Sequence, residues 1–379
     1  MTETEFLPRK VLMTADTVGG VWSYSLELAR GLGERGVEVA LATMGAPIND
    51  LQREKAERIP GLRVFEGHFK LEWMEEPWRD VEKAGDWLLN LESRISPDLI
   101  HLNSFAHGAL PWVAPTVVVG HSCVLSWWQA VKREPAPANW DRYREEVAAG
   151  LAAAGLVITP SEAMLASLTE HYGPLLEARV IPNGRDHRLF RPTPKEDMVF
   201  SAGLLWDEAT NLESLEKVAP RLPWPVFVAG ESQHPDGGEF RPHNTRSLGR
   251  LTQRALSAWL GRSSIYALPA RYEPSGLSVL EAALAGCALV LGDLPSLRET
   301  WRNRAVFVPP DDSEALEREI LNLIENPDRR QSLAAGSHKR ALEYTPERMV
   351  DGYLQAYSHV LAREDSYPVD DVYPQQVAV

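Results

Sequence analysis

KVLMTADTVGGVWSYSLELARGLGERGVEVALAT, residues 10–43, spells out a complete strand–helix–strand unit. Residues 10–15 are an apolar run of strand-forming type, and Gly19 and Gly20 then turn the chain. Trp22, Leu26 and Ala29, spaced four and three apart, place an apolar stripe on a helix that ends near Gly36. Residues 37–43 make the second strand. A helix between two strands carries the chain back so that both run the same way, which makes the sheet parallel. Further strands fall at 62–66, 99–102, 116–120, 156–159 and 179–181, with helices between them, notably over 140–154. The result is one Rossmann-like unit.

Residues 191–197 (RPTPKED) place two prolines among polar residues and read as a linker. A second α/β unit follows, with strands at 198–202, 226–229, 265–268, 288–291 and 305–308 and helices over 211–219, 252–261 and 278–285. Residues 346–362 form one last helix, and the tail from Glu364 frays. The fold class is therefore α/β, with two doubly wound Rossmann-like domains, and 379 residues suit two domains of ordinary size.

The composition narrows the function. Hydrophobic residues are 44% of the chain, enough for a large core, and 39 Lys and Arg against 53 Asp and Glu give a net charge of −14. A negative field disfavours nucleic acid and anionic lipid as partners. Cys123 and Cys287 are the only cysteines and lie far apart, which excludes a disulfide scaffold or zinc module and points to a reducing cytoplasm. The N-terminus lacks the layout of a signal peptide. The most apolar run, 277–291, is short and broken by Glu281, so no stable membrane association is expected.

Chemistry concentrates in ARYEPSGLSVLEAALAG, residues 270–286. Seven residues separate Glu273 from Glu281, Gly276 marks a turn, and a helix opens near Ser278. Strand, tight turn and helix N-terminus together suit an anion, because free N–H groups and the helix dipole meet there. Glu281, one turn into the helix, is placed to accept hydrogen bonds from a ribose diol, and Glu273 to face the crevice at the strand's carboxyl end. For an isolated pair of glutamates, solvated or capping carboxylates are the simpler reading; the turn and the apolar helix between them favour a site.

Here the sequence resembles the family 4 retaining glycosyltransferases of GT-B architecture, particularly bacterial glycogen-synthase-like members. The resemblance runs through DTVGGVWSYSLELARGLGERGVEV, PDLIHLN, VIPNGRDHRLF, SAGLLWDEATNLESL, LGRL, the block at 270–286, DLPSLRETW and VFVPPDD. It implies two domains facing a deep cleft, 1–193 holding the acceptor and 194–345 the donor, with 346–379 returning to the first. It implies further that Glu281 binds the donor's ribose, that Ser275, Gly276, Leu277 and Ser278 bind sugar and phosphate, and that Gly19 and Gly20 approach the distal phosphate. Arg250, in LGRL, borders the base. Glu273 and His121 are the implied catalytic residues beside the donor sugar. His121 opens HSCVLSWW after a strand, where a lone histidine is otherwise a structural hydrogen-bonder; Cys123 is read as packing. Aromatic residues suit sugar faces, which makes Trp127 and Trp128 acceptor-binding candidates among Trp73, Trp78 and Trp140, although core packing is the commoner role. Glu72, Glu75, Glu76 and Asp80 read as an acidic patch in the same region.

One departure stands out. Family members carry an Arg directly after the glycine of the SAG motif and a Lys six residues later to neutralise a diphosphate, and here Leu204 and Thr210 stand in those places. Asp311–Asp312 and Asp370–Asp371 are poorly placed to hold a metal, so no metal or other cofactor is expected. Arg185 replaces a usual Val beside the cleft and is the candidate substitute cation, weighed evenly against a plain surface arginine. The expected activity is retaining transfer of a hexosyl unit from a nucleotide diphosphate sugar to a soluble saccharide or small hydroxylated acceptor. The alternatives are a nucleotide-independent phosphorylase or transglycosylase and a noncatalytic carbohydrate-binding homologue. The sequence fixes no oligomeric state.

Overall fold

The computed structural model describes residues 7–365. Seven parallel strands form the first sheet: β1 (Lys10–Asp16), β2 (Glu38–Met44), β3 (Leu62–Glu66), β4 (Leu99–Leu102), β5 (Thr116–Val119), β6 (Leu156–Thr159) and β7 (Ala178–Val180), in the order β3-β2-β1-β4-β5-β6-β7. The second sheet is also parallel: β8 (Glu196–Ala202), β9 (Val226–Ala229), β10 (Arg246–Ser247), β11 (Ser263–Leu268), β12 (Ala288–Gly292) and β13 (Val306–Val308), in the order β10-β9-β8-β11-β12-β13.

Helices cover both faces of each sheet, which is why the strands read as continuous apolar runs. In β1, Val11, Met13 and Ala15 point into one core cluster and Leu12 into the other, as alternation along a strand requires. The first cluster contains Leu28 and Leu32 of the helix Gly20–Glu34 and Val350, Tyr353 and Tyr357 of the helix Pro346–Asp365. That last helix therefore packs on the first sheet; at Gly31 a β-carbon would run into Val350. Residues 366–379, including Asp370 and Asp371, lie outside the described residues.

Most strands fall within a residue or two of their sequence expectation. Strand β8 starts at Glu196, inside the stretch read as linker, and β10 was not foreseen. The chain passes between the sheets twice, after β7 and before Pro346, and the two passages touch. Arg185 N–H donates to the Tyr344 carbonyl (3.0 Å), and a β-carbon at Gly184 would strike the Thr345 carbonyl.

The two units also meet through side chains. Cys123 N–H donates to the Tyr272 hydroxyl (3.0 Å), Trp127 Nε1–H to Asp207 (2.9 Å) and Ser161 Oγ–H to the Pro274 carbonyl (3.1 Å). Lys132 pairs with Glu208 (2.7 Å) and Arg133 with Asp311. The Glu299 carboxylate accepts from the N–H groups of Glu162 and Ala163 at 3.0 and 3.1 Å, so a side chain from the second unit caps a helix of the first.

Candidate functional site

Each sheet has a point where strand order reverses, β1/β4 in the first and β8/β11 in the second, and crevices for ligands form at the carboxyl ends of strands there. The two points face each other. After β1 comes the Gly19–Gly20 turn, with Gly19 at φ +81°, a conformation that side chains resist. Leu204, just beyond β8, reaches within 3.7 Å of the place a Gly19 β-carbon would occupy, and Leu277 within 3.4 Å of the equivalent place at Gly20.

Beyond β11 the chain turns at Gly276 (φ +63°) into the helix Leu277–Leu284. Glu273 folds back on this turn, its Oε1 accepting from Gly276 N–H (2.7 Å) and Ser275 N–H (3.2 Å). Burial raises the Glu273 pKa, and those two N–H groups work against the rise. Two amides that sequence reasoning reserved for an anionic ligand thus hold the chain's own carboxylate. The first turn of the helix still leaves N–H groups without intrahelical partners, as every helix does. Ser278 Oγ accepts from the Tyr266 hydroxyl (2.9 Å).

Glu281 lies one turn into that helix and is 8% exposed. Arg185 Nε and Nη2 both donate to its Oε1, at 2.8 and 2.5 Å, while Nη1 donates to Glu27 (3.0 Å). Arg185 is 6% exposed and Glu27 7%, so the surface-arginine reading is wrong. Arg185 is also no freestanding cation: its guanidinium is committed to two carboxylates. Burial opposes its charge, and Glu281 and Glu27 outweigh that, leaving its pKa above the ordinary value. Burial also raises Glu27, with Arg185 pulling the other way. The grip falls on one oxygen of Glu281 only, and Oε2 is neither hydrogen-bonded nor sealed off among the described residues.

His121 sits past β5, its Nε2 2.7 Å from Asn103 Oδ1. Asn103 Nδ2 donates to the Thr14 carbonyl (2.7 Å), which orients the amide so that Oδ1 accepts and His121 carries its proton on Nε2. Nδ1 keeps its lone pair. The Tyr24 ring lies edge-on to the imidazole at 4.5 Å, and burial pushes the His121 pKa down to about 3, so the ring is neutral at physiological pH. Nearby, a cavity of about 30 Å³ is lined by Asp16, Lys70, Glu72, Trp73, Asn103 and Ser104, among others. Burial, with Glu72 adding to it, raises Asp16 to about 7. Glu72 is buried and accepts from Phe105 and Ala106 N–H at 3.0 and 2.8 Å, so it does not belong to an acidic surface patch.

Other candidates lie further out. Trp127 spans the cleft to Asp207 and meets Trp128 edge-to-face at 5.8 Å, and Trp128 packs against the first sheet's core. Arg250 is exposed, 3.4 Å from Glu231. Cys123 is buried with Sγ 3.2 Å from the Tyr172 hydroxyl, in keeping with packing. Sequence reasoning missed Glu27, Asn103 and Asp16. Asp16 and Asn103 had a signal, each standing at a strand's carboxyl end next to the order reversal; Glu27 sits in ordinary helical sequence.

A family model described as Glycosyltransferase Family 4 matches residues 18–189, and one described as Glycosyl transferases group 1 matches 219–340. Between them they take in both sheets. The chain belongs to the family 4-like glycosyltransferases of GT-B architecture. Among curated glycosyltransferases, a glycogen synthase of Mycobacterium tuberculosis is 30% identical over 204 residues, 48% of this chain and 49% of the synthase, so the chain spans about half the length of that relative. A D-inositol 3-phosphate glycosyltransferase of Rhodococcus erythropolis is 26% identical over 89% of this chain and 86% of its own. The GT-B fold is shared with a sucrose-phosphate synthase from Thermosynechococcus elongatus, with TM-score 0.80 and 18% identity over 94% of this chain and all of that one. An Anabaena structure in complex with UDP and glucose has TM-score 0.73 and 15% identity over 93% of this chain and all of that one. No helix among the described residues is long and apolar enough to cross a membrane.

Proposed function

We propose that this protein is a retaining glycosyltransferase that moves a hexosyl unit from a nucleotide diphosphate sugar to a soluble saccharide or small hydroxylated acceptor. The observation that carries this reading is the presentation of Glu281. Two N–H groups of Arg185 fix one oxygen and leave the other for a ribose hydroxyl, one turn beyond the Gly276 turn and opposite Gly19 and Gly20. Glu273 and neutral His121 stand on the two sides of the same cleft, suited to orient a donor sugar and to balance positive charge at its reacting carbon. The inositol phosphate relative supports a small polyhydroxylated acceptor.

A second reading keeps the fold and the transfer and drops the nucleotide. It is favoured by Leu204 and Thr210, which bring no charge to the second domain's turn, and by Arg185, whose charge is already balanced by two carboxylates. Thermal unfolding against a panel of nucleoside diphosphates, nucleotide sugars, sugar phosphates and oligosaccharides separates the two, because a ligand of the native state raises its stability. The leading reading requires a rise with at least one nucleotide sugar. A rise with sugar phosphates or oligosaccharides alone overturns it.

A further inference from the structure

The helix Asp50–Glu57 borders the glycine turn: Gln52 Nε2 donates to the Thr17 carbonyl (3.2 Å). Residues three apart on a helix share a face, so Lys55 lies on the same side, one turn along. Its side chain is half-buried and lies within electrostatic reach of both Arg185 and Glu281. The Lys55 side chain therefore stands on the side of the helix that borders the glycine turn.

Several other cations about the cleft are already paired. Arg185 is held by Glu281 and Glu27, Lys132 by Glu208, Arg271 by Asp311 and Arg298 by Asp293. Among the described residues, the Lys55 ammonium has no ion pair or hydrogen bond. Burial, with the Arg185 charge adding to it, holds its pKa below the ordinary value, and Glu281 pulls the other way. An unpaired, part-desolvated ammonium beside a carboxylate suited to ribose is placed where an anionic group next to that ribose would complete the charge balance. In a nucleotide, that group is phosphate.

We propose that Lys55 binds the phosphate of the donor's leaving group, so that the first domain supplies the positive charge that Leu204 and Thr210 do not supply from the second. This rests on the nucleotide diphosphate reading of the donor. Lysine suits the task, because a compact charge on a flexible stem can adjust to the position of a phosphate.

The test is calorimetric titration of the full chain, Lys55→Met and Lys55→Arg with ADP, GDP and UDP. For whichever nucleoside diphosphate the parent binds, Lys55→Met is expected to weaken affinity about ten- to a hundredfold, the range of one charge-assisted hydrogen bond. Lys55→Arg should recover most of it. Parental affinity in Lys55→Met overturns the proposal, as does equal weakening in both variants, which marks a packing role. A parent that binds none of the three overturns the nucleotide reading itself and the role of Lys55 with it.

Discussion

Replacing Arg185 with Met removes the guanidinium that bridges Glu27 and Glu281 and leaves both carboxylates at most 8% exposed without it. Breaking a buried pair by deleting one partner costs about 3–5 kcal/mol. Protonation sets a ceiling, because a stranded carboxyl can become neutral instead. Taking about 4.3 as the unfolded pKa of Glu and about 1.36 kcal/mol per pH unit, that route costs roughly 5 kcal/mol per carboxyl at pH 8 and roughly 1 kcal/mol at pH 5. The folded variant then binds more protons than its unfolded chain between those pH values, so its stability falls as pH rises. Glu27, already raised in the parent, sets the same sign. Urea unfolding followed by tryptophan fluorescence should show a loss of about 3–5 kcal/mol at pH 8 and about 1–2 kcal/mol at pH 5. Adding Glu27→Gln and Glu281→Gln should recover most of the loss, since amides carry no charge. A loss that is equal at the two pH values, or larger at pH 5, refutes the reasoning.

Glu273→Gln keeps an acceptor oxygen for Gly276 N–H and so the turn, but is expected to lower initial transfer rates on the order of a hundredfold or more; near-parental turnover in a folded variant removes Glu273 from the reaction. His121→Ala should cost activity more than stability. With the imidazole pKa near 3, the parent's pH–rate profile should carry no limb from this residue above about pH 5, and a limb near neutrality that disappears in His121→Ala contradicts the assignment. Leu204→Arg combined with Thr210→Lys should raise nucleoside diphosphate affinity about tenfold or more in calorimetry. Unchanged affinity puts the phosphates elsewhere.

The fold was legible where burial on both sides of a sheet writes itself into the chain. Leu99–Leu102 and Leu156–Thr159, buried along their whole length, match their expected bounds because such runs flanked by turns leave little choice. Arg246–Ser247 was invisible: a polar two-residue edge strand carries no pattern. Gly276 announced its turn, but nothing local shows that Glu273 closes back on it. Arg185 stood out as a substitution at the cleft, yet its meaning lay in partners 96 and 158 positions away. The tautomer of His121 is set through Asn103 by Thr14, 89 residues earlier than the asparagine. Glu72 looked like its acidic neighbours because sequence charge does not report which carboxylate turns inward to cap Phe105 and Ala106. Local chemistry was readable; pairings over long sequence distance were not.

The contact between the two chain passages, Gly184 against Thr345 and Arg185 N–H on the Tyr344 carbonyl, puts both covalent links between the domains at one place. In a rotation about such a joint, displacement would grow with distance from its axis. Arg185 is itself part of the joint, so its grip on Glu281 lies on the short arm and is disturbed least. Trp127–Asp207, Lys132–Glu208 and Arg133–Asp311 join the two units without a chain link. Rotation about this joint would keep Arg185 and Glu281 in register while breaking the ion pairs Lys132–Glu208 and Arg133–Asp311, so the resistance to such a rotation would fall as salt rises.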